Sequence, residues 1–198
     1  MYDCARISTS PPSLLSTNIL LLHFLVALTF FARMHRIPII RPALPSETEA
    51  LVQLGRATGI FSDGEAEELL GHTLDDLHAG KLPSNHQAHV VIMEGRSDPM
   101  GWCYFGPEED KSRSYNLWWI GISPASQGQG LGRQLLKFVE ATVQREEYDA
   151  SQLVIETSSG DKLARTREFY DRQGYHTLRI EKDGYGPGED KVVFVKVF

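Results

Sequence analysis

The chain has 198 residues, 41% of them hydrophobic and 23% charged, and a formal net charge of −6. That length holds one domain with a full core, and the composition is ordinary for a globular protein. The acidic balance argues against a general nucleic-acid binder, which needs a basic face to displace counterions from phosphates. Cys4 and Cys103 lie far apart in unlike contexts, so neither a disulfide framework nor a zinc site is expected, and a reducing, cytoplasmic setting fits.

The first segment is apolar. Ile19–Ala32 runs 14 residues without a charge, broken by His23 and Thr29, against the roughly 18 or more of a membrane-spanning helix. As a secretory signal it has an apolar core, but Arg6 is offset by Asp3 and no small-x-small site follows cleanly. A third reading takes Met34 as the true start. The expected division is a leader or extension over residues 1–34, outside the fold, and a folded domain over 35–198, with no membrane partner.

Pro38–Pro42 reads as a short strand with prolines at its ends. Ser46 with Glu49 has capping-box spacing and opens a helix that buries Ala50, Leu51 and Leu54. Ser62 with Glu65 opens a second, whose apolar positions Ala66, Leu69, Leu70, Leu74 and Leu77 follow the helical period until Gly80 stops it. Strands follow at Ala88–Met93, Met100–Phe105 and Tyr115–Ile122, the first two joined by the turn Glu94–Pro99. A glycine-rich turn leads into a helix over about Gly130–Arg145. Leu153–Thr157 reads as a buried strand, Lys162–Arg172 as a helix ending at Gly174, and Tyr175–Ile180 and Val192–Val197 as closing strands. Strand, glycine turn, helix and strand in succession imply a parallel pair with a crossover, and the flanking hairpins imply antiparallel neighbours. The expected fold is α/β, a mixed central sheet of about six to seven strands flanked by helices.

The segment Ile120-Gly-Ile-Ser-Pro-Ala-Ser-Gln-Gly-Gln-Gly-Leu-Gly-Arg133 carries the most chemistry. Glycines between a strand and a helix let successive N–H groups turn inward, and the helix start adds its positive end, so the turn suits a pyrophosphate. Tight strand-to-helix packing would also call for glycines there. A Walker loop requires a lysine that is missing, and a dinucleotide fingerprint requires a third glycine where Arg133 stands, although Glu156 at the end of the next strand imitates the ribose acid.

Gln127-x-x-Gly130-x-Gly132 resembles the Q/R-x-x-G-x-G/A signature of the GNAT acetyltransferases, and it lies between a strand and a long helix as in that family. Phe169-Tyr-Asp-Arg-Gln-Gly-Tyr175 resembles the family's later helix signature, and the tail Gly184–Asp190 with its closing strand resembles the end of many bacterial members. The resemblance spans about Ile37 to Phe198. It implies acetyl-CoA as co-substrate, without a metal. Backbone groups near Ile120 and Ile122 would pair with the pantetheine arm as an added strand. The N–H groups of Gln127, Gly128, Gln129, Gly130, Leu131 and Gly132 would hold the pyrophosphate, with Arg133 adding charge.

Under the resemblance Tyr170 is the candidate general acid, donating to the leaving thiolate; the alternative is a half-buried helix tyrosine beside Phe169. A base is also required. Glu156, Glu94, His89 and Asp183 are chemically capable, spacing selects none, and a water chain would also serve. Trp118 and Trp119, adjacent on a strand, should point to opposite faces, one into the core and the other beside the acceptor, as could Tyr104 or Trp102. Cys103 reads as a small buried hydrophobe. One departure stands out: where many members carry an asparagine that contacts the cofactor arm, seven residues before the tyrosine, this chain has Leu163, with Thr157, Ser158 or Ser159 nearby to supply a polar group.

The reading is an enzyme that moves an acetyl group from acetyl-CoA to a primary amine by direct attack. The acceptor is a small-molecule or peptide amine, and homodimers are common in the family. A non-catalytic acyl-CoA-sensing module is the alternative, and a membrane-tethered adaptor would rest on Ile19–Ala32 alone.

Overall fold

The computed structural model describes residues 37–198, except 62, 109, 110, 112, 146 and 147. The leader, its boundary at residue 34 and the cap at Ser62 therefore lie outside the described residues. No helix among the described residues is long and apolar enough to cross a membrane.

Seven strands form one mixed sheet in the order β1-β2-β3-β4-β5-β7-β6. The strands β1 (Pro38–Pro42), β2 (Gln87–Met93), β3 (Gly101–Pro107) and β4 (Ser114–Ile122) pair antiparallel in sequence order. β5 (Gln152–Ser158) then lies parallel to β4. The hairpin of β6 (His176–Gly186) and β7 (Glu189–Val197) closes the sheet, with β7 antiparallel to β5 and β6 at the edge.

Helices cover both faces because strand alternation gives the sheet two apolar surfaces. On one lie α1 (Thr48–Ala57), α2 (Asp63–Glu65), a π-helical stretch Ala66–Gly71 and α3 (His72–His78). Leu51, Leu54, Ala66, Leu70 and Leu74 pack there on Val90, Trp102 and Tyr104. On the other lie α4 (Leu131–Val143) and α5 (Ala164–Arg172), with Leu131, Leu135, Val139 and Tyr170 on Cys103, Phe105, Leu117 and Ile155. Leu131, Leu135, Leu136, Val139 and Val143 are at most 2% exposed, each worth about 1.5–3 kcal/mol of burial. A buried carboxylate ties this face together. Glu140, 4% exposed, accepts from Lys137 (2.6 Å), Lys196 (3.1 Å) and the Tyr175 hydroxyl (3.2 Å).

Ala50, expected to be buried by the first helix, is exposed, and the described elements depart from the sequence reading in four further places. The first helix opens with a 3₁₀ turn, Pro45–Glu47. Glu47 accepts from the Leu44 N–H at 2.9 Å and pairs with Arg41, while Glu49 is held by Gln53 at 2.7 Å. The Ser46–Glu49 box is therefore not made. In the second helix the wider π turn shifts the phase of the apolar stripe. Ala66, Leu70 and Leu74 are buried, but Leu69 is 42% exposed, since each π turn holds more residues than an α turn. The tail Glu181–Asp190 belongs to the β6–β7 hairpin, paired at Glu181↔Lys191 and Gly186↔Glu189 with an irregularity between them.

The fourth departure concerns the tryptophans. β3 and β4 shift register at Tyr104/Phe105, so that Tyr104 faces Trp119 and Phe105 faces Leu117. Trp118 is the extra residue of a bulge. Strand alternation is broken at that step, and both tryptophans pack on the α1–α3 face. The expectation of opposite faces is corrected accordingly.

Candidate active site

The parallel strands β4 and β5 are in register from Ser114↔Gln152 only to Leu117↔Ile155. Beyond that pair β4 continues to Ile122 along β3, and β5 continues to Ser158 along β7. The two strands thus part, leaving the β5-facing backbone of Trp118–Ile122 without a strand partner. Ile120 and Ile122 are half-buried there against the α4–α5 core.

The glycine turn follows immediately. After the 3₁₀ turn Pro124–Ser126, α4 begins at Leu131 with Gly130 as its N-cap at φ 80°, no side-chain cap and no acid in the first turn. Gly128 also has a positive φ, 75°. A Cβ built on either residue would meet nothing within 4 Å, whereas one on Gly132 would touch Ile122 at 3.6 Å and Phe169 at 4.0 Å. Both of those contacts are ordinary van der Waals distances, so packing requires a glycine at none of the three positions; the positive φ favours one at Gly128 and Gly130, whose outer side is open. The N–H groups at a helix start have no partner within the helix, and α4 makes its first intrahelical bond from the Gln134 N–H to the Gly130 carbonyl. These free donors at a positive helix end suit an anion. Gln127 and Gln129 shape the turn: Gln127 donates from its backbone to Pro124 at 3.4 Å and from its side chain to Ile122 at 3.2 Å, and Gln129 donates to Ala125 at 3.4 Å. Arg133 is exposed on the first turn of α4.

The gap between the strands opens into a cavity of about 890 Å³, lined on β4 by Ile120 and Gly121, on β5 by Ile155 to Ser158, and on α5 by Thr166 and Tyr170. Tyr170 is 3% exposed, among Phe169, Tyr175 and Phe194. Burial, with a smaller push from Tyr185, raises its phenol above the ordinary value, so it keeps its proton at neutral pH. Of the four carboxylates and imidazoles suggested as bases, Glu156 alone lines the cavity, where Lys191 pairs with it at 3.2 Å. His89 faces Phe105 and Phe138 on β2, and burial, aided by Arg145, lowers it to about 4. Glu94 is exposed in the β2–β3 turn, and Asp183 accepts from the Gly188 N–H in the β6–β7 hairpin.

Around Leu163, which lines the cavity, the nearby hydroxyls divide. Ser158 bonds to Glu189, and Ser159 accepts from the Asp190 N–H at 2.9 Å, so both serve the hairpin. Thr157 is buried at the cavity without that commitment. Cys103 is fully buried, its thiol pushed up to about 12 by desolvation, which suits packing and not nucleophilic attack. Among the described residues no group of His, Cys, Asp and Glu is placed to hold a metal ion.

Sequence reasoning missed three contributors. Phe61 stands edge-on to Trp119 at 5.4 Å, Tyr185 reaches the cavity from the β6–β7 hairpin, and Asn116 lines it from β4. For Asn116 a signal existed: it is a lone amide in a strand of otherwise apolar and aromatic residues.

Residues 85–177 match the model of the acetyltransferase (GNAT) domain. An S-alkylcysteine N-acetyltransferase of Bacillus subtilis is 38% identical over 69 residues, 34% of this chain and 38% of that enzyme, so the chain matches well under half the length of this relative. A crystal structure from Desulfovibrio desulfuricans, assigned to the GNAT family of acetyltransferases, superposes with a TM-score of 0.75 at 27% identity, covering 81% of this chain and 99% of that one. The PaiA N-acetyltransferase of Thermoplasma acidophilum, solved in complex with coenzyme A, superposes at 0.63 with 14% identity over 82% of this chain and 99% of its own, and shares the fold. With its seven-stranded sheet, parted central strands and matched segment, the chain carries a GNAT acetyltransferase domain over residues 85–177 and is similar in fold to solved members of that family.

Proposed function

We propose that the protein transfers an acetyl group from acetyl-CoA to a primary amine by direct attack within a ternary complex. The observation that carries this reading is the parting of β4 from β5 after Leu117↔Ile155, directly before the open glycine turn. A pantetheine arm carries amide donors and acceptors of the spacing a strand offers, so the free β4 backbone around Ile120 and Ile122 would bind it as an added strand. The pyrophosphate would rest on the N–H groups of Gly128–Gly132, with Arg133 beside it. The bare outer faces of Gly128 and Gly130 leave room for the phosphates.

In the reaction the amine nitrogen attacks the thioester carbonyl, the C–S bond breaks, the nitrogen gives up its extra proton to water as the amide forms, and the thiolate takes up a proton. Tyr170, protonated and buried at the cavity, would donate it. The incoming ammonium must first lose a proton, and Glu156, which lines the cavity, would receive it, directly or through water. The catalytic unit is residues 35–198, with 1–34 dispensable, acting in the cytoplasm. A homodimer would use the outer edge of β6, where Leu178 and Ile180 are 50% and 61% exposed.

Calorimetric titration of the full chain with acetyl-CoA, alongside Gly130→Glu, tests the reading. Micromolar binding that the glutamate abolishes is expected. No binding by a folded sample would overturn it.

A further inference from the structure

We infer that the acceptor is a small aralkylamine, a primary amine on an aromatic body with no neighbouring carboxylate, and that Asn116 receives its N–H. The inference rests on the acetyl-transfer reading and names the acceptor of that site.

Asn116 faces Val154 of β5, one step before the last β4–β5 pair, so it stands where the strands part. It is 8% exposed, it lines the cavity, and its buried Oδ1 has no hydrogen-bond partner. Folded chains seldom leave a buried carbonyl oxygen without a donor. A ligand amine at the fork of the strands supplies one, and it brings the nucleophilic nitrogen to the position that the thioester must reach.

The walls beside Asn116 are aromatic. Strand alternation sets Trp118 on its face, and the bulge adds Trp119 to the same side. Trp118 stacks on His86 and Tyr104 at 5.0 and 5.1 Å, and Trp119 is braced by Phe61. Leu54 and Leu70 complete an apolar surface suited to a ring, while the indole faces favour a neighbouring ammonium.

Charge bears on what else the acceptor carries. Glu65, Asp161 and Glu189 line the cavity at exposed positions and Glu156 at a half-buried one, against Lys162, which is exposed as well. Lys191 is taken by Glu156 and Glu181. An α-carboxylate beside the amine would be desolvated among acids without a buried cation among the described lining residues, a costly arrangement. A polyamine would meet those acids but would leave the wall of Trp118, Trp119, Leu54 and Leu70 without an apolar partner.

The test uses the full chain with saturating acetyl-CoA and measures kcat/KM for 2-phenylethylamine, tryptamine, L-phenylalanine, S-benzyl-L-cysteine, a phenylalanine-initiated dipeptide and spermidine. The two aralkylamines should exceed each of the others by about tenfold or more, the effect of one unpaired buried charge or lost buried hydrogen bond. Asn116→Leu should raise KM for 2-phenylethylamine by about tenfold or more while leaving KM for acetyl-CoA unchanged. Asn116→Asp, which keeps an acceptor oxygen, should recover most of that loss. Preference for an amino acid, the dipeptide or spermidine would overturn the inference, as would an unchanged amine KM in Asn116→Leu. Acetyl-CoA binding, measured separately, distinguishes the failures. If it binds and no aralkylamine is acetylated, the acceptor inference falls alone; if it does not bind, the transferase reading falls first.

Discussion

Replacing Gly130 with asparagine separates two reasons for a glycine at the start of α4. Gly130 has φ 80°, a conformation that L-residues rarely adopt, yet a Cβ there meets no atom within 4 Å. The left-handed region costs an ordinary residue about 1–2 kcal/mol, and asparagine tolerates it better than most. Gly130→Asn should therefore cost below about 1 kcal/mol, a fall in Tm of about 2–4 °C for a chain of this size. Its side chain would nonetheless fill the open outer face where the pyrophosphate is placed. Displacing one charge-assisted N–H contact is worth about 1.5–3 kcal/mol, or roughly tenfold to a hundredfold in Kd for acetyl-CoA. Thermal unfolding and calorimetric titration of the same sample read both numbers. A small loss of Tm with an unchanged Kd would refute the reasoning, since the glycine would then be needed only for its backbone angle.

Three further outcomes are expected. Tyr170→Phe, which removes a buried hydroxyl without changing the packing among Phe169, Tyr175 and Phe194, should lower kcat by about a hundredfold or more and leave KM for acetyl-CoA within about twofold, measured by steady-state release of CoA thiol. His89 binds its proton only near pH 4 in the fold, against about 6.5 when unfolded. Its contribution is complete above about pH 6.5 and is lost as pH falls toward 4, up to about 3 kcal/mol. Urea unfolding at pH 7 and pH 5 should show about 2 kcal/mol of that loss in the native chain, the part falling between pH 6.5 and pH 5, and much less in His89→Leu. Glu140→Gln weakens the anchor shared by Lys137, Lys196 and Tyr175 and should cost about 2 kcal/mol, seen as a lower Tm, with acetyl-CoA affinity preserved.

Much of this molecule was legible in its residues, and the losses share a cause. The strands β2 to β5 and the helix after the glycine turn follow from apolar periodicity and from Gly128–Gly132, because burial on a sheet imposes a period of two and on a helix a period near four. What was misread depends on a partner that periodicity does not display. The faces of Trp118 and Trp119 turn on a one-residue bulge against β3. Exposure of Leu69 turns on one π turn. The cap at Leu44 turns on Glu47, which also pairs with Arg41 across the first loop. For the site, the phosphate turn was visible as a local motif, whereas Asn116, Phe61 and Tyr185 meet at the cavity only through sheet order and the closing hairpin.

The most direct test of the account is a crystal structure of the full chain with CoA. It should show the pyrophosphate against the N–H groups of Gly128–Gly132, the pantetheine arm paired with β4 near Ile120 and Ile122, and the thiol within hydrogen-bonding reach of the Tyr170 hydroxyl. CoA bound elsewhere, with β4 and β5 still parted and bare, would contradict it.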